Sequence, residues 1–388
     1  MALAAGIATS TTLRCWLLLG MAMLCSQILL AQPRKKTWAK KLYDLYADTT
    51  KDGSKGLVPL PYVFYTPDTR WAAGGIGVYY FKLRSSPSDT LTRLSYIKFL
   101  ADYTQNKQFD AWASWQVFMK DERWLLKGEA RYRLFPDRYY GIGNRSVQSN
   151  EELFSYELQT IKKLVMRRIY PKVFLGLDYQ VTRYYNVQKQ AGKELITGAV
   201  TGSEGSINSG FGLVFSSDRR DNIFNSVKGH FFEVSTYFYS RGLGSEFSFS
   251  NYNINFNKYH SVGRNVVFAW QAVGNFNTGE VPFYNLAAVG GEEIIRGYAR
   301  NRFRDMHFSG AQAEVRVPIA WRLGVALFGG VGDVYRELSD LSWSVAKYSY
   351  GAGLRFKVNR KENLNIRLDY GIGRDGNTAF YFAVGEAF

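Results

Sequence analysis

From Leu57 onward, apolar and polar side chains alternate with a period of two. In 251–257 the chain reads Asn-Tyr-Asn-Ile-Asn-Phe-Asn, which puts Tyr252, Ile254 and Phe256 on one face and four asparagines on the other. Leu364, Ile366, Leu368, Tyr370 and Ile372 oppose Asn363, Asn365, Arg367, Asp369 and Gly371 in the same way. Tyr350, Ala352, Leu354, Phe356 and Val358 oppose Gly351, Gly353, Arg355 and Lys357. Strict alternation of this kind predicts strands with one apolar and one polar face. Strands are expected near residues 78, 98, 114, 129, 158, 178, 212, 235, 252, 269, 286, 315, 327, 353, 367 and 383. Glycines such as Gly371 and Gly373 fall inside these strands, where they permit close packing, bulges or bends.

Alternation alone fits a soluble sandwich, whose polar face meets water, or a membrane barrel, whose polar face lines a lumen. Composition favours the barrel. The 388 residues include 27 Tyr, 27 Phe and 9 Trp beside 37 Gly, and beyond residue 31 no apolar run is long enough for a spanning helix. About sixteen strands leave roughly 22 residues for each strand and its connection, ample for spans of about 9–11 residues. An even number lets an antiparallel barrel close without an edge. The last residue is aromatic, Phe388, after Phe380, Phe382 and Val384 at alternate positions. This resembles an outer-membrane targeting signal, from which Glu386 on the same face departs. The expected fold is all-β, a transmembrane antiparallel barrel over 58–388.

Two segments precede it. Residues 1–31 carry Arg14, an apolar stretch from Cys15 to Leu30 and a small residue at Ala31, the pattern of a cleaved signal peptide. An uncleaved anchor, or lipoprotein processing at Cys25, fits less well. Cys15 and Cys25 are the only cysteines, so the exported chain would have none. Residues 32–57 form a basic segment, expected on the periplasmic side, with seven Lys and Arg. Trp38, Leu42, Leu45 and Tyr46 fall at helical spacing within it. It reads equally as an arm or plug at the barrel mouth and as a solvated tail.

The net charge of +16 is scattered, with no zinc-ligand spacing or helix-turn-helix pattern, which argues against nucleic acid. Such charges suit a lumen wall or anionic lipid headgroups. Three histidines, His230, His260 and His307, are too few and too dispersed for a metal centre, and there is no GxSxG elbow. The pairs Asp221/His230 and Asp305/His307 have no second partner at a usable spacing and read as loop or rim residues. No enzyme activity, metal or cofactor is expected.

The stretch 281–335 is the most informative. It runs Val281-Pro-Phe-Tyr284, Gly290-Gly-Glu-Glu-Ile-Ile-Arg-Gly-Tyr298, Ala313-Glu-Val-Arg-Val-Pro318 and Phe328-Gly-Gly-Val-Gly332. In that order it resembles the bacterial surface antigen family, the barrel domain of the outer-membrane assembly-factor superfamily to which the Bam and Tam barrels belong. Tyr65-Thr-Pro-Asp-Thr69 followed by Gly74, Gly75 and Gly77, and Phe135-Pro-Asp-Arg-Tyr-Tyr-Gly-Ile-Gly-Asn144, extend the resemblance upstream.

The resemblance implies sixteen strands and a long sixth extracellular loop folded back into the lumen. There Arg296, followed by Gly297 and Tyr298, would pair with acidic residues of the inner wall. A loop re-entering a confined space needs close backbone approach, which Gly290, Gly291 and Gly297 allow. A planar guanidinium suits two-point contact with a carboxylate. With Val315, Val317 and Ile319 outward, Glu314 faces inward as the expected partner. The family's second acid would lie two residues after Phe328, where this chain has Gly330. Asp333 nearby has the outward parity of Leu323, Val325 and Leu327, so a single carboxylate partner is expected.

Relatives that assemble other proteins usually carry periplasmic polypeptide-transport-associated domains, and residues 32–57 are too short for one. The expectation is a barrel that assists insertion or translocation of protein or lipid at the bacterial outer membrane. Its seam of first and last strands would be softened by Gly74, Gly75, Gly77 and Gly385. Expected partners are outer-membrane lipid and lipopolysaccharide, with nascent outer-membrane proteins or separate periplasmic factors. The alternatives are a passive, mildly anion-preferring channel and a structural barrel with no assembly role.

Overall fold

The computed structural model describes residues 55–66, 70–83, 92–119, 121–263, 265–360 and 362–388. The expected signal peptide, and residues 32–54 with their expected helix, lie outside the described residues. Strands β1 (Lys55–Thr66), β2 (Arg70–Phe81), β3 (Ser95–Thr104), β4 (Phe109–Met119), β5 (Trp124–Tyr139) and β6 (Glu152–Tyr170) follow one another along the chain. Next come β7 (Val173–Lys189), β8 (Ser206–Asp218), β9 (Gly229–Tyr239), β10 (Phe249–Val262) and β11 (Val266–Gly279). After a long connection that holds the short pair β12 (Ala287–Val289) and β13 (Phe303–Asp305), the chain continues as β14 (His307–Ala320) and β15 (Leu323–Tyr335). It finishes with β16 (Lys347–Asn359), β17 (Leu364–Gly373) and β18 (Thr378–Val384).

All but β12 and β13 form one sixteen-stranded antiparallel sheet in chain order, with β11 paired to β14 across the 280–306 connection. The strand total agrees with the sequence reading, but two assignments differ. β1, which holds Pro59 and Pro61, has no counterpart among the expected strands. The strand expected near 286 is instead part of the long connection, reduced to the three residues of β12. β1 is described from Lys55, and the residues before it lie outside the described ones.

The sheet is inverted relative to a soluble protein. Outward side chains are apolar: Leu175, Leu177, Leu213, Ile254, Leu327, Leu354, Leu368 and Phe380 are all exposed. The other face buries Asp102, Asp110, Asp178, Glu314, Arg316, Arg355, Arg367 and Asp369. Water cannot be the solvent of the outer face, since apolar exposure on this scale costs about 25 cal/mol per Å². A lipid exterior with an ionic interior resolves it. The alternation expected at 251–257, 350–357 and 364–372 follows these faces, except that Val358 and Leu364, on either side of the β16–β17 turn, are buried.

The sheet curves until its edges meet. The rings of Tyr62 on β1 and Phe382 on β18 lie 6.5 Å apart. Asn359 Nδ2, at the end of β16, donates to the Tyr80 hydroxyl of β2 at 2.7 Å. Yet among the described residues no ladder joins β1 to β18. The sequence supplies a reason. Pro59 and Pro61 stand opposite Gly77 and Gly75 in the β1–β2 ladder. Two residues apart, they turn their nitrogens to the same side, and the intact ladder requires that side to be the free edge. Proline has no N–H, so the edge that faces β18 lacks two donors. Gly74, Gly75 and Gly77, expected at the seam, belong to β2 and pair with β1 on one side and β3 on the other. The edge is weakened by prolines one strand earlier.

Replacing Pro59 and Pro61 together with valine should raise the temperature at which the folded, fast-migrating gel band is lost. Each restored donor is worth about 0.5–1.5 kcal/mol net. An unchanged midpoint would show that the missing donors do not limit the seam.

Candidate functional site

Glu314 on β14 and Asp369 on β17 point into the interior, and neither side chain reaches solvent. The 280–306 connection supplies a cation between them. Arg296 Nη2 lies 2.6 Å from Glu314 Oε2, and Nη1 lies 2.6 Å from Asp369 Oδ2. Its guanidinium carbon sits 3.6 Å from the centre of the Phe328 ring, so both terminal nitrogens and one flat face are engaged.

Three strand arginines complete the cluster. Arg316 Nε donates to Glu314 Oε1 at 2.8 Å. Arg355 reaches Glu314 Oε1 at 3.2 Å and also binds Asp369 Oδ1. Arg367 Nη1 donates to Asp369 Oδ2 at 2.8 Å. Buried charges are tolerated only when paired and hydrogen-bonded, as here.

The single-carboxylate expectation is corrected: Arg296 has two. The second comes from β17, not from the Gly330 position. Gly330 stands opposite Gln312, and a Cβ there would lie 3.2 Å from Ile295 Cδ1. The loop residue before Arg296 thus fills the space a carboxylate would need. Asp333 does not meet lipid either. It is buried against Lys347 Nζ at 3.5 Å and accepts from Asn144 Nδ2 at 3.2 Å. The sequence signal for the missed residues was present, since Arg355, Arg367 and Asp369 occupy the polar face of adjacent strands.

The loop approaches the wall closely because the wall is glycine there. A Cβ on Gly371 would lie 2.7 Å from the Arg296 carbonyl, and one on Gly373 would lie 2.7 Å from the Tyr298 ring. Gly297 adopts φ +130°, closed to other residues, and donates its N–H to the Tyr381 hydroxyl of β18 at 2.9 Å. That hydroxyl donates in turn to the Tyr298 carbonyl at 2.7 Å. The Tyr298 hydroxyl donates to the Tyr348 carbonyl at 2.8 Å and accepts the Arg374 N–H. Gly290 and Gly291 shape the loop's own turn: a Cβ on Gly290 would strike the Ala299 carbonyl, and Gly291 N–H donates to the Tyr298 carbonyl.

The two upstream sequence matches meet this loop differently. Residues 135–144 clasp it. Tyr139 meets Phe283 edge-on at 5.5 Å, and the Gly143 N–H donates to the Arg304 carbonyl at 2.7 Å. Phe283 and Tyr284 join Phe154, Tyr156 and Tyr184 in an aromatic cluster, with Tyr184 and Tyr284 stacked at 3.9 Å. Residues 65–69 fall largely outside the described residues.

Phe388 departs from its expected place. β18 ends at Val384 and Gly385, at φ +98°, turns the chain. The final residues therefore leave the outer face. Glu386 receives Arg355 Nε at 2.8 Å and Asn365 Nδ2 at 2.6 Å, so the residue that broke the aromatic pattern belongs to the ionic cluster. Phe388 packs near Tyr259 and Arg316 instead of continuing the line of Phe380 and Phe382. Asp221 caps the N–H groups of Val227 and Lys228, while His230 lies against Phe256. Asp305 accepts its neighbour's N–H at Met306, and His307 Nδ1 accepts from Asn277.

Sixteen strands with an apolar exterior and an ionised interior define a membrane β-barrel of the outer-membrane type. A family model of the Omp85 superfamily domain matches residues 98–388. The chain belongs to the Omp85 superfamily, whose barrels are outer-membrane proteins. It is similar in fold to BamA from Haemophilus ducreyi lacking POTRA domains 1–3. That match has a TM-score of 0.54 and 13% identity, and covers 86% of this chain and 70% of that one. A looser similarity is to Wzi of Escherichia coli, a carbohydrate-binding outer-membrane barrel involved in group 1 capsule assembly. There the TM-score is 0.32 at 9% identity, over 92% of this chain and 87% of that chain. No curated protein matches the sequence.

Arg296→Ala should destabilise the folded barrel by about 3–5 kcal/mol, because it strands two buried carboxylates. Glu314→Gln and Asp369→Asn should each lose less, and each combined with Arg296→Ala should fall short of additivity by at least about 1 kcal/mol. Urea titrations of the gel-resolved folded form check this; strict additivity would separate the arginine from that carboxylate.

Proposed function

We propose that this barrel assists the insertion or translocation of protein or lipid at the outer membrane, through a seam between β1 and β18 that opens sideways. The observation that carries the reading is the contrast at that seam. Every other neighbouring pair in the sheet is laddered, whereas these two edges meet through side chains and one edge lacks two donors. Pro59 and Pro61 make β1 a poor partner for β18, so the β18 edge, in no ladder with β1 among the described residues, can act as a template for another strand, and inside a membrane no water competes for it. In this reading the 280–306 connection is folded back into the lumen, where Arg296 holds it to the wall next to the seam strand through Tyr381.

A passive channel is the weaker reading. With the connection folded inward as this reading has it, the Arg296 loop and the aromatic cluster around Phe283 would take up the space a through-pore needs, which speaks for the seam over a channel. The reading implies export by a leader such as residues 1–31, contact with lipid and lipopolysaccharide at the outer face, and nascent outer-membrane proteins or periplasmic factors as partners. It needs no catalytic group, metal or cofactor.

The test is to tie the seam. Tyr62→Cys with Phe382→Cys, bridged by a short bis-methanethiosulfonate reagent that forms a disulfide with each thiol and releases methanesulfinate, should abolish function in cells that depend on the protein, and reductant should restore it. Quantitative outer-membrane proteomics of a deletion strain should show the loss of a defined set of barrels or lipoproteins. A tied seam with full function, or an unchanged proteome, would overturn the proposal.

A further inference from the structure

The β8–β9 connection, residues 219–228, springs from the middle of the sheet, with eight strands on either side. Its contacts lie at the opposite edges. Phe224 is 5% exposed and belongs to one apolar cluster with Val58 of β1, Val78 and Tyr80 of β2, Leu364 of β17 and Val384 of β18. Its ring lies 5.4 Å from that of Tyr96 on β3. Asn222 Nδ2 donates to the Glu362 carbonyl in the β16–β17 turn at 3.1 Å. A segment rooted at the midpoint can touch both edges only by crossing the enclosed space.

The crossing is built rather than slack. The Asn222 side chain accepts the N–H groups of Phe224 and Asn225, and Asp221 accepts those of Val227 and Lys228. The root is fixed where Asp218 binds Arg220 at 2.9 Å and Arg93 at 3.0 Å. Arg93 is also tied to Glu122 of the β4–β5 turn. The tip is held chiefly by apolar packing, with two hydrogen bonds to the wall among the described residues: Asn222 Nδ2 to the Glu362 carbonyl, and Arg316 Nη1 of β14 to Asn225 Oδ1 at 3.4 Å. A cavity of about 170 Å³ separates it from the chain end at Gly385, Glu386 and Phe388.

We propose that residues 219–228 are a latch. They shut the lumen at the end opposite the aromatic cluster, and through Phe224 they hold the first and last strands together where no ladder does. Closure of the lumen and closure of the seam are then one event, because neither β1 nor β18 can swing away without removing the packing around Phe224. This does not depend on what crosses the seam, so the proteomic test above could fail while the latch stands.

The experiment is planar-bilayer conductance of the full-length barrel, with the seam pair Tyr62→Cys and Phe382→Cys as a second readout. Phe224→Ala should raise the frequency of openings at least about tenfold, in keeping with loss of a buried phenyl ring. It should also speed modification of the seam thiols by a bulky maleimide. Wild-type conductance together with wild-type thiol reactivity would overturn the latch. Should Phe224→Ala fail to fold, Tyr96→Cys with Phe224→Cys decides. Bridged by a bis-methanethiosulfonate reagent, it should open less often in moderate urea than the same protein after reductant; equal currents would overturn the proposal.

Discussion

A guanidinium between two carboxylates, with no water on any of the three side chains, is the constraint around which this barrel is arranged. Lipid outside favours turning the charges of the wall inward, and inside they must balance against one another at short range. Arg316, Arg355 and Arg367 come from strands and are fixed by the ladder. Arg296 comes from a connection and reaches Glu314 and Asp369 only if the whole segment around it is seated. The wall glycines, the hydroxyls of Tyr298 and Tyr381 and the face of Phe328 are what that seating requires.

The rest of the interior is organised around the same need. Residues 135–144 and the aromatic cluster hold the loop from above. The chain end turns at Gly385 to bring Glu386 into the ionic cluster, so the last strand is short and its C-terminal end is diverted from the outer face. Pro59 and Pro61 weaken the facing edge. Strong ionic contacts in the interior and a weak junction at the wall thus lie side by side, with Tyr381 of β18 hydrogen-bonded to the loop. A barrel that has to yield somewhere would yield at this junction, where few backbone hydrogen bonds oppose separation.

The position of the second carboxylate carries a general point about inner walls. What Arg296 needs is an acid within reach of its second nitrogen, and any inward residue of a neighbouring strand can provide it. Here Ile295 occupies the space beside Gly330 while Asp369 supplies the charge from β17. Position along one strand matters less than position in the enclosed cross-section.

Period-two alternation and aromatic excess were enough to read a barrel of about sixteen strands; the family resemblance implied an inner-wall acid for Arg296, and strand parity, which fixes the face a residue takes, picked out Glu314. Parity could also have shown Asp369 and Arg355 facing inward, but not that they meet Arg296. Such meetings depend on curvature, register and the path of a long connection, which bring together residues 73 positions apart. The sequence misled where a local rule was overridden. Alternation near residue 286 suggested a wall strand where the long connection runs, and the terminal alternation carried Phe388 outward, where Gly385 breaks the strand. Alternation is a property of neighbours along the chain and so is legible in it. Which edges meet, and which connection crosses between them, is decided only when the sheet curves and distant residues compete for one interior.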